Sequence, residues 1–460
     1  MANQPGMDLT RGSVPRLLVH FAWPFLLANL MQSVYNVVDM IVVGQFVGSA
    51  GLSAVNTGGF VTQLFFSIGA GIAMGAQVMI AQFRGAGDER AQSETIGSSL
   101  TLTMLIGVVL TVLVLLFTRP LLKLVRIPDE SLEQGVDYLF ICAIGCVFIF
   151  GYNSICSILR ALGDSRRPML FVAVATAVNI VLDLLFVAVF DWKAGGAAAA
   201  TVIAQGVAFA FSAVYLYRHR EQVDFDFRRA SFRLVGERVK TIVKIGLPFI
   251  VQFSFINISI LFVITLVNGY GVAASAGYGV GSRVDAFATL PVNSLTAAGA
   301  TMVGQNIGAG HRRRAGSVVW WTLGIGLAIE AVIIAIVQLF PAQIVKIFNT
   351  DPDVVAVGVE YLRWLSISYI AHALMSGFFA MTNGSGFSAL TMIACLFDGL
   401  VLRISLSALF SVALGLGLRG IFVGSTIAPF GAAAISGAYF FSGRWKTRAA
   451  LTDAAPRESD

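Results

Sequence analysis

The 460 residues are 57% hydrophobic and 12% charged, with a mean hydropathy of +0.81, about half the charged share of a soluble globular domain. Apolar stretches of roughly 20 residues or more recur along the whole length and are long enough to cross a hydrocarbon core of about 30 Å as helices, whereas a barrel would show short alternating strands. The net charge of +6 sits in short connections such as "RHREQ", "DFRRASFR", "GHRRR" and "GRWKTR", which reads as membrane topology and not as a nucleic-acid surface.

Apolar runs between charged or Gly/Pro-rich breaks predict about twelve spans, at roughly 17–43, 52–83, 94–118, 134–160, 168–190, 195–217, 242–267, 276–306, 316–340, 355–382, 387–414 and 418–442. Alternate connections carry the bases Arg84 and Arg90, then Arg160, Arg166 and Arg167, then 218–241, then Arg312, Arg313 and Arg314. Both termini are therefore expected in the cytoplasm. The first 16 residues are polar and the run after them is too long for a signal-peptide core, so no cleaved leader is expected. Cys142, Cys146, Cys156 and Cys395 all fall inside apolar spans without metal-site spacing and read as buried free thiols.

The chain repeats itself at a separation of about 223 residues: "WPF" at 23–25 returns as "LPF" at 247–249, and "QFRGAG" at 82–87 as "QNIGAG" at 305–310. One six-span unit is used twice, and because six is even the two copies enter the membrane from the same side. This gives an all-α integral membrane protein of two parallel-repeat six-helix bundles. The expected domains are 1–217, a cytoplasmic linker 218–241, a second bundle 242–442 and a cytoplasmic tail 443–460.

Along the first span Asn29, Gln32, Asn36 and Asp39 share one helical face, with valines and leucines on the rest. An ionised carboxylate on a helix at the bilayer centre costs on the order of 2.5 to 3.5 kcal/mol, so this stripe should face the bundle interior or a wet cavity. Asn179 and Asp183 stack four residues apart on the fifth span, and Thr201 and Gln205 on the sixth. Such hard oxygen donors suit a small cation, and two nearby carboxylates equally suit a shared proton. Asn153 joins Gln32, Asn36 and Gln205 as an expected supporting polar network. At the repeat separation Asp39 falls opposite Val263, Asn179 opposite Leu402, Asp183 opposite Leu406 and Thr201 opposite Thr426. The cation chemistry is thus expected in the first bundle.

Other embedded charges are Arg283, Asp285, Glu330, Asp398 and Arg403; Asp398 and Arg403, five apart, make a poor helical pair. Tyr35, Gln252, Asn257, His372, Met375 and Phe378 are candidates to line a cavity for flat cationic molecules. Pro24 and Pro291 lie inside spans, and Pro24 is a candidate hinge of the helix that carries Asp39. No P-loop, HExxH or GxSxG occurs in a suitable context, which argues against an enzyme and against ATP-driven transport.

Over about residues 8–445 the chain resembles the multidrug and toxic compound extrusion (MATE) family, through "LTRGSVPRLLVHFAWPFLLANLMQSVYNVVDMIVVGQ", "GAQVMIAQFRGAGD", "ILRALGDSRRPM" and "NIVLDLLF" followed by "GGAAAATVIAQ". The resemblance implies a V-shaped pair of bundles that exports amphipathic, often cationic drugs in exchange for H+ or Na+, with no other cofactor. It also implies a multi-pass protein of the bacterial cytoplasmic membrane that is a monomer and has no nucleic-acid partner. In one branch of the family the motif positions for the cation are those held here by Asp39, Asn179, Asp183 and Thr201, with the Ala197 carbonyl as a further ligand and Na+ at Asp39, Asn179 and Thr201. Another branch uses acids on helices seven and ten, where this chain has only Gln252, Asn257 and His372. A lipid or lipid-linked precursor flippase of the same architecture is the nearest alternative, and a channel or receptor a distant one.

Overall fold

A computed structural model describes residues 6–448 and 450–451, and the described residues contain helices and no strand. The principal helices are α1 (Val14–Phe46), α2 (Gly48–Ala86), α3 (Glu89–Leu124), α4 (Asp129–Ala161), α5 (Arg166–Asp183), α6 (Lys193–Arg218), α7 (Gly236–Asn268), α8 (Val272–Ala288), α9 (Leu290–Gly308), α10 (Arg312–Leu339), α11 (Pro352–Gly384), α12 (Ser388–Leu396, continued by wide turns) and α13 (Leu418–Phe441). Eleven helical runs among the described residues are long and apolar enough to cross a membrane. The span expected at 276–306 is divided into α8 and α9 at Thr289. Pro291 suits the break, since it lacks an N–H and costs nothing in the first turn of α9 but would remove a backbone bond in a helix interior.

The repeated "GAG" has a local cause. Gly87 and Gly310 both take a positive φ, 71° and 75°, a conformation that closes a helix and that side chains with a Cβ resist. Asp88 then caps α3 by accepting from the Ala91 N–H at 2.9 Å, which is how the chain restarts a helix within two residues.

The described residues form two compact units, and their boundaries differ from the expected ones: those within 1–8 and 27–250 make the first, those within 9–26 and 251–460 the second. Helix α1 therefore changes units just after Pro24, and α7 just after Pro248. Close backbone packing holds the start of α7 in the first unit, where a Cβ on Gly75 would lie 2.4 Å from the Ile242 carbonyl oxygen and one on Gly246 2.8 Å from that of Gly71. In the second unit the buried Leu18 and Phe21 anchor the start of α1, and Asn306 Nδ2 donates to the Leu9 carbonyl at 3.1 Å.

Residues 218–241, expected as a tether, are docked on the first unit. Phe225, Phe227 and Phe232 form an edge-on aromatic cluster, the Thr101 hydroxyl donates to the Phe232 carbonyl at 2.7 Å, and Arg84 pairs with Asp224 at 3.2 Å. At the other end, Trp445 is buried and donates to the Phe440 carbonyl at 3.0 Å. Residues 452–460 of the expected tail lie outside the described residues.

The repeat register also shifts. The chain leaves α5 through a wide turn, with Phe190 N–H bonded to the Leu185 carbonyl and Trp192 N–H to that of Phe186; Leu414 to Leu409 and Leu416 to Phe410 repeat this. These matching bonds pair Asn179 with Arg403, Asp183 with Ser407 and Thr201 with Ser425, in place of the expected Leu402, Leu406 and Thr426. The extra residue is absorbed by a π-helical segment at Phe397–Arg403, the usual structural outcome of a one-residue insertion in a helix.

Candidate functional site

Three helices of the first unit bring the predicted oxygen donors together. Asp183 is fully buried and Asn179 nearly so, both on the inward face of α5. The Asn179 amide, oriented to satisfy its neighbours, donates to Asp183 Oδ2 at 2.8 Å and accepts from the Thr201 backbone N–H at 3.3 Å. Thr201 Oγ1 on α6 lies 3.4 Å from the same amide and 3.2 Å from the Tyr35 hydroxyl on α1. Asp39, one turn beyond Tyr35, is half-buried and interacts electrostatically with both Asp183 and Tyr35. Ala197 is buried one turn before Thr201.

The cluster combines two acids on neighbouring helices, each with an oxygen that lacks a partner. Asp39 Oδ1 and Asp183 Oδ1 are buried without a hydrogen-bond partner, in a packed interior where an unmatched polar atom is costly. Two such oxygens, an amide oxygen and a threonine hydroxyl form a donor set that fits Na+ or a shared proton. No trio of His, Cys, Asp or Glu suited to a transition metal occurs among the described residues.

Several expected site residues are placed elsewhere. Among the described residues no hydrogen bond joins the expected supporting groups to the cluster: Asn153 Nδ2 donates back to the Ile149 carbonyl at 2.9 Å, and Gln32 and Asn36 are exposed. Helical spacing put these groups on plausible faces, but α4 turns Asn153 toward its own backbone. Tyr35, expected to line a drug cavity, instead bonds Thr201. Phe378 is core, packed tilted and edge-on against Phe440 and Phe441, and Met375 packs against the cluster of Phe379, Ala394, Cys395 and Ala432. Asn257 is exposed and donates to the Phe253 carbonyl. Gln252 Oε1 and His372 Nδ1 remain buried without partners.

The second unit shows what the equivalent place holds when the acids are gone. Ser407 and Ser425 lie 3.4 Å apart, where the first unit has Asp183 and Thr201, and Arg403 stands at the position of Asn179. Its guanidinium reaches both oxygens of Asp398 at 3.4 Å. Five residues are too far round an α-helix for such a pair, but the π-helical segment Phe397–Arg403 brings them to one side. Asp285 and Arg403 interact electrostatically, Arg283 is exposed, and Glu330 is 1% exposed with both carboxyl oxygens unpartnered. All four cysteines are buried and free.

Comparison with known proteins agrees with this duplication. The model of the MatE family matches residues 24–185 and again 248–409. The chain is 30% identical over 451 residues to the "Probable multidrug resistance protein YpnP" of Bacillus subtilis (strain 168), covering 97% of this chain and 99% of that protein. It is 24% identical over 456 residues to the "Probable multidrug resistance protein NorM" of Thermotoga maritima, covering 96% of each. Among solved structures, a multidrug resistance MATE family transporter of the MOP superfamily in an outward-facing conformation superposes with a TM-score of 0.92 at 25% identity, over 97% of this chain and all of the other.

Proposed function

This chain belongs to the MATE family of multi-pass membrane transporters, and we propose that it is a secondary antiporter that exports amphipathic, often cationic compounds in exchange for H+ or Na+. The proposal places it in a bacterial cytoplasmic membrane with both termini inside. Its relatives carry the name of multidrug resistance proteins, which supports the substrate class.

The observation that carries the ion coupling is the pair of unpartnered carboxyl oxygens on Asp39 and Asp183. An inward-moving cation or proton supplies the partner they lack and removes the repulsion between two buried acids. Asn179 holds Asp183 by its Oδ2, which leaves Oδ1 turned to the ion. Tyr35 ties α1 to Thr201 on α6, so the occupancy of the site bears on the position of α1. That helix continues into the other unit just after Pro24, where a missing backbone bond permits bending. A ligand that favours one arrangement of α1 shifts the whole transporter toward it, by as much as its affinities for the two states differ.

The test is dye transport in proteoliposomes given either a pH step or a sodium step. The wild-type protein accumulates an organic cation dye under one of them. Asp39→Asn and Asp183→Asn insert in equal amounts and do not; uptake at the wild-type rate by both variants overturns the proposal.

A further inference from the structure

The docked linker leaves an apolar cavity of about 520 Å³ at its edge, walled by Leu100, Met104 and Val108 of α3 and Phe209 and Leu216 of α6, with Phe227 and Phe232 of the linker closing one end. Thr101 also lines it, but its hydroxyl is engaged by the Phe232 carbonyl. The walls therefore offer water no hydrogen bond and suit hydrocarbon. The cavity continues onto the outer apolar face of α3, where Leu105 and Val108 are 51% and 49% exposed.

The linker residues next to these phenylalanines have the opposite character. Arg228 and Arg229 follow Phe227 in the chain, Arg233 follows Phe232, and all three are exposed. Arg228 leans on Asp226 at 3.6 Å, while the Arg229 and Arg233 guanidinium groups have no partner among the described residues. A hydrocarbon slot beside unpaired guanidinium groups asks for an amphiphile with an acidic head. Guanidinium matches phosphate oxygens two at a time, and basic residues beside a membrane span attract acidic lipids at its surface. The same arginines repel the organic cations that the transporter carries.

We propose that this cavity is a binding site for one anionic glycerophospholipid of the surrounding bilayer, with an acyl chain between α3 and α6 and the phosphate on Arg229 and Arg233. The lipid presses Phe227 and Phe232 onto α3 and so holds the linker against the first unit. The site is separate from the Asp39 and Asp183 cluster, and its failure leaves the ion-coupling proposal standing.

Native mass spectrometry of the full chain in maltoside detergent tests it, titrating phosphatidylglycerol, phosphatidylcholine of the same chains, and inorganic phosphate. One phosphatidylglycerol is expected to bind about tenfold more tightly than phosphatidylcholine, because its phosphate keeps a net negative charge that the choline ammonium cancels in the other lipid, and inorganic phosphate alone is expected not to bind. The double variant Arg229→Gln/Arg233→Gln, at exposed positions, abolishes the preference, and Ala213→Phe, which fills the slot, lowers the occupancy of both lipids. Equal binding of the two lipids by the wild-type protein, or an undiminished preference in the double variant, overturns the proposal, as does saturation by inorganic phosphate alone. Should Ala213→Phe fail to fold, the double variant decides.

Discussion

Asn179 and Asp183 sit one turn apart on α5, and the amide of the first donates to Oδ2 of the second at 2.8 Å. That bond fixes the buried acid with its other oxygen unpartnered. Replacing Asn179 by Ala removes a hydrogen bond to a charged group, worth about 1.5 to 3 kcal/mol. Drug efflux from cells that express Asn179→Ala is therefore expected to fall about tenfold or more at equal protein in the membrane, and an unchanged efflux rate counts against the role given to Asn179.

Arg403 and Asp398 form the second unit's own internal ion pair. Removing one partner takes from the other its hydrogen-bonded counter-charge, at a cost of about 3 to 5 kcal/mol for a buried pair, while replacing both with apolar residues is close to neutral. Arg403→Met and Asp398→Leu are each expected to lower the thermal midpoint of the purified protein by several degrees, and the double variant to restore most of the loss. A double variant as unstable as the sum of the two shows that the pair is not the relevant unit.

Phe378 lies in the aromatic packing of α11 against α13, and a Cβ on Gly437 would touch its ring at 3.0 Å. Phe378→Ala opens a cavity there and costs about 3 to 5 kcal/mol. Reduced thermal stability with an unaltered ranking of exported dyes is the expected result. A selective change in which dyes are exported, at full stability, restores Phe378 to the drug path.

Gly97 of α3 admits the linker, since a Cβ there would come within 1.7 Å of the Ser231 carbonyl oxygen. Gly97→Val lifts the segment that contains Arg228, Arg229 and Arg233. Limited trypsin digestion is expected to cut the variant between residues 228 and 233 several times faster than the wild-type protein; identical digestion means that the linker is not held at Gly97.

The polar cluster was legible because acids inside apolar runs are expensive and because spacings of three and four assign them to faces: the structure places Asp39, Asn179, Asp183 and Thr201 on neighbouring helices of one unit. Three things were not. A one-residue insertion inside an apolar helix carries no residue signal, and only the π-helical segment Phe397–Arg403 brings Arg403 into register with Asn179. An aromatic such as Phe378 looks the same in sequence whether it packs or lines a cavity. The crossing of α1 and α7 between units leaves only the echo of Pro24 in Pro248, and its cause is three-dimensional: the glycines at 71, 75 and 246 let backbones meet.

The most direct measurement of the central claim is the dissociation constant of a cationic dye from the purified protein, titrated against both H+ and Na+. If one of these ions and the dye favour opposite states, linkage requires each to weaken the other. The account predicts that the wild-type constant rises at least tenfold as H+ or Na+ is raised and that the constant of Asp39→Asn/Asp183→Asn stays flat. A double variant whose dye affinity still follows the ion as the wild-type protein does contradicts it.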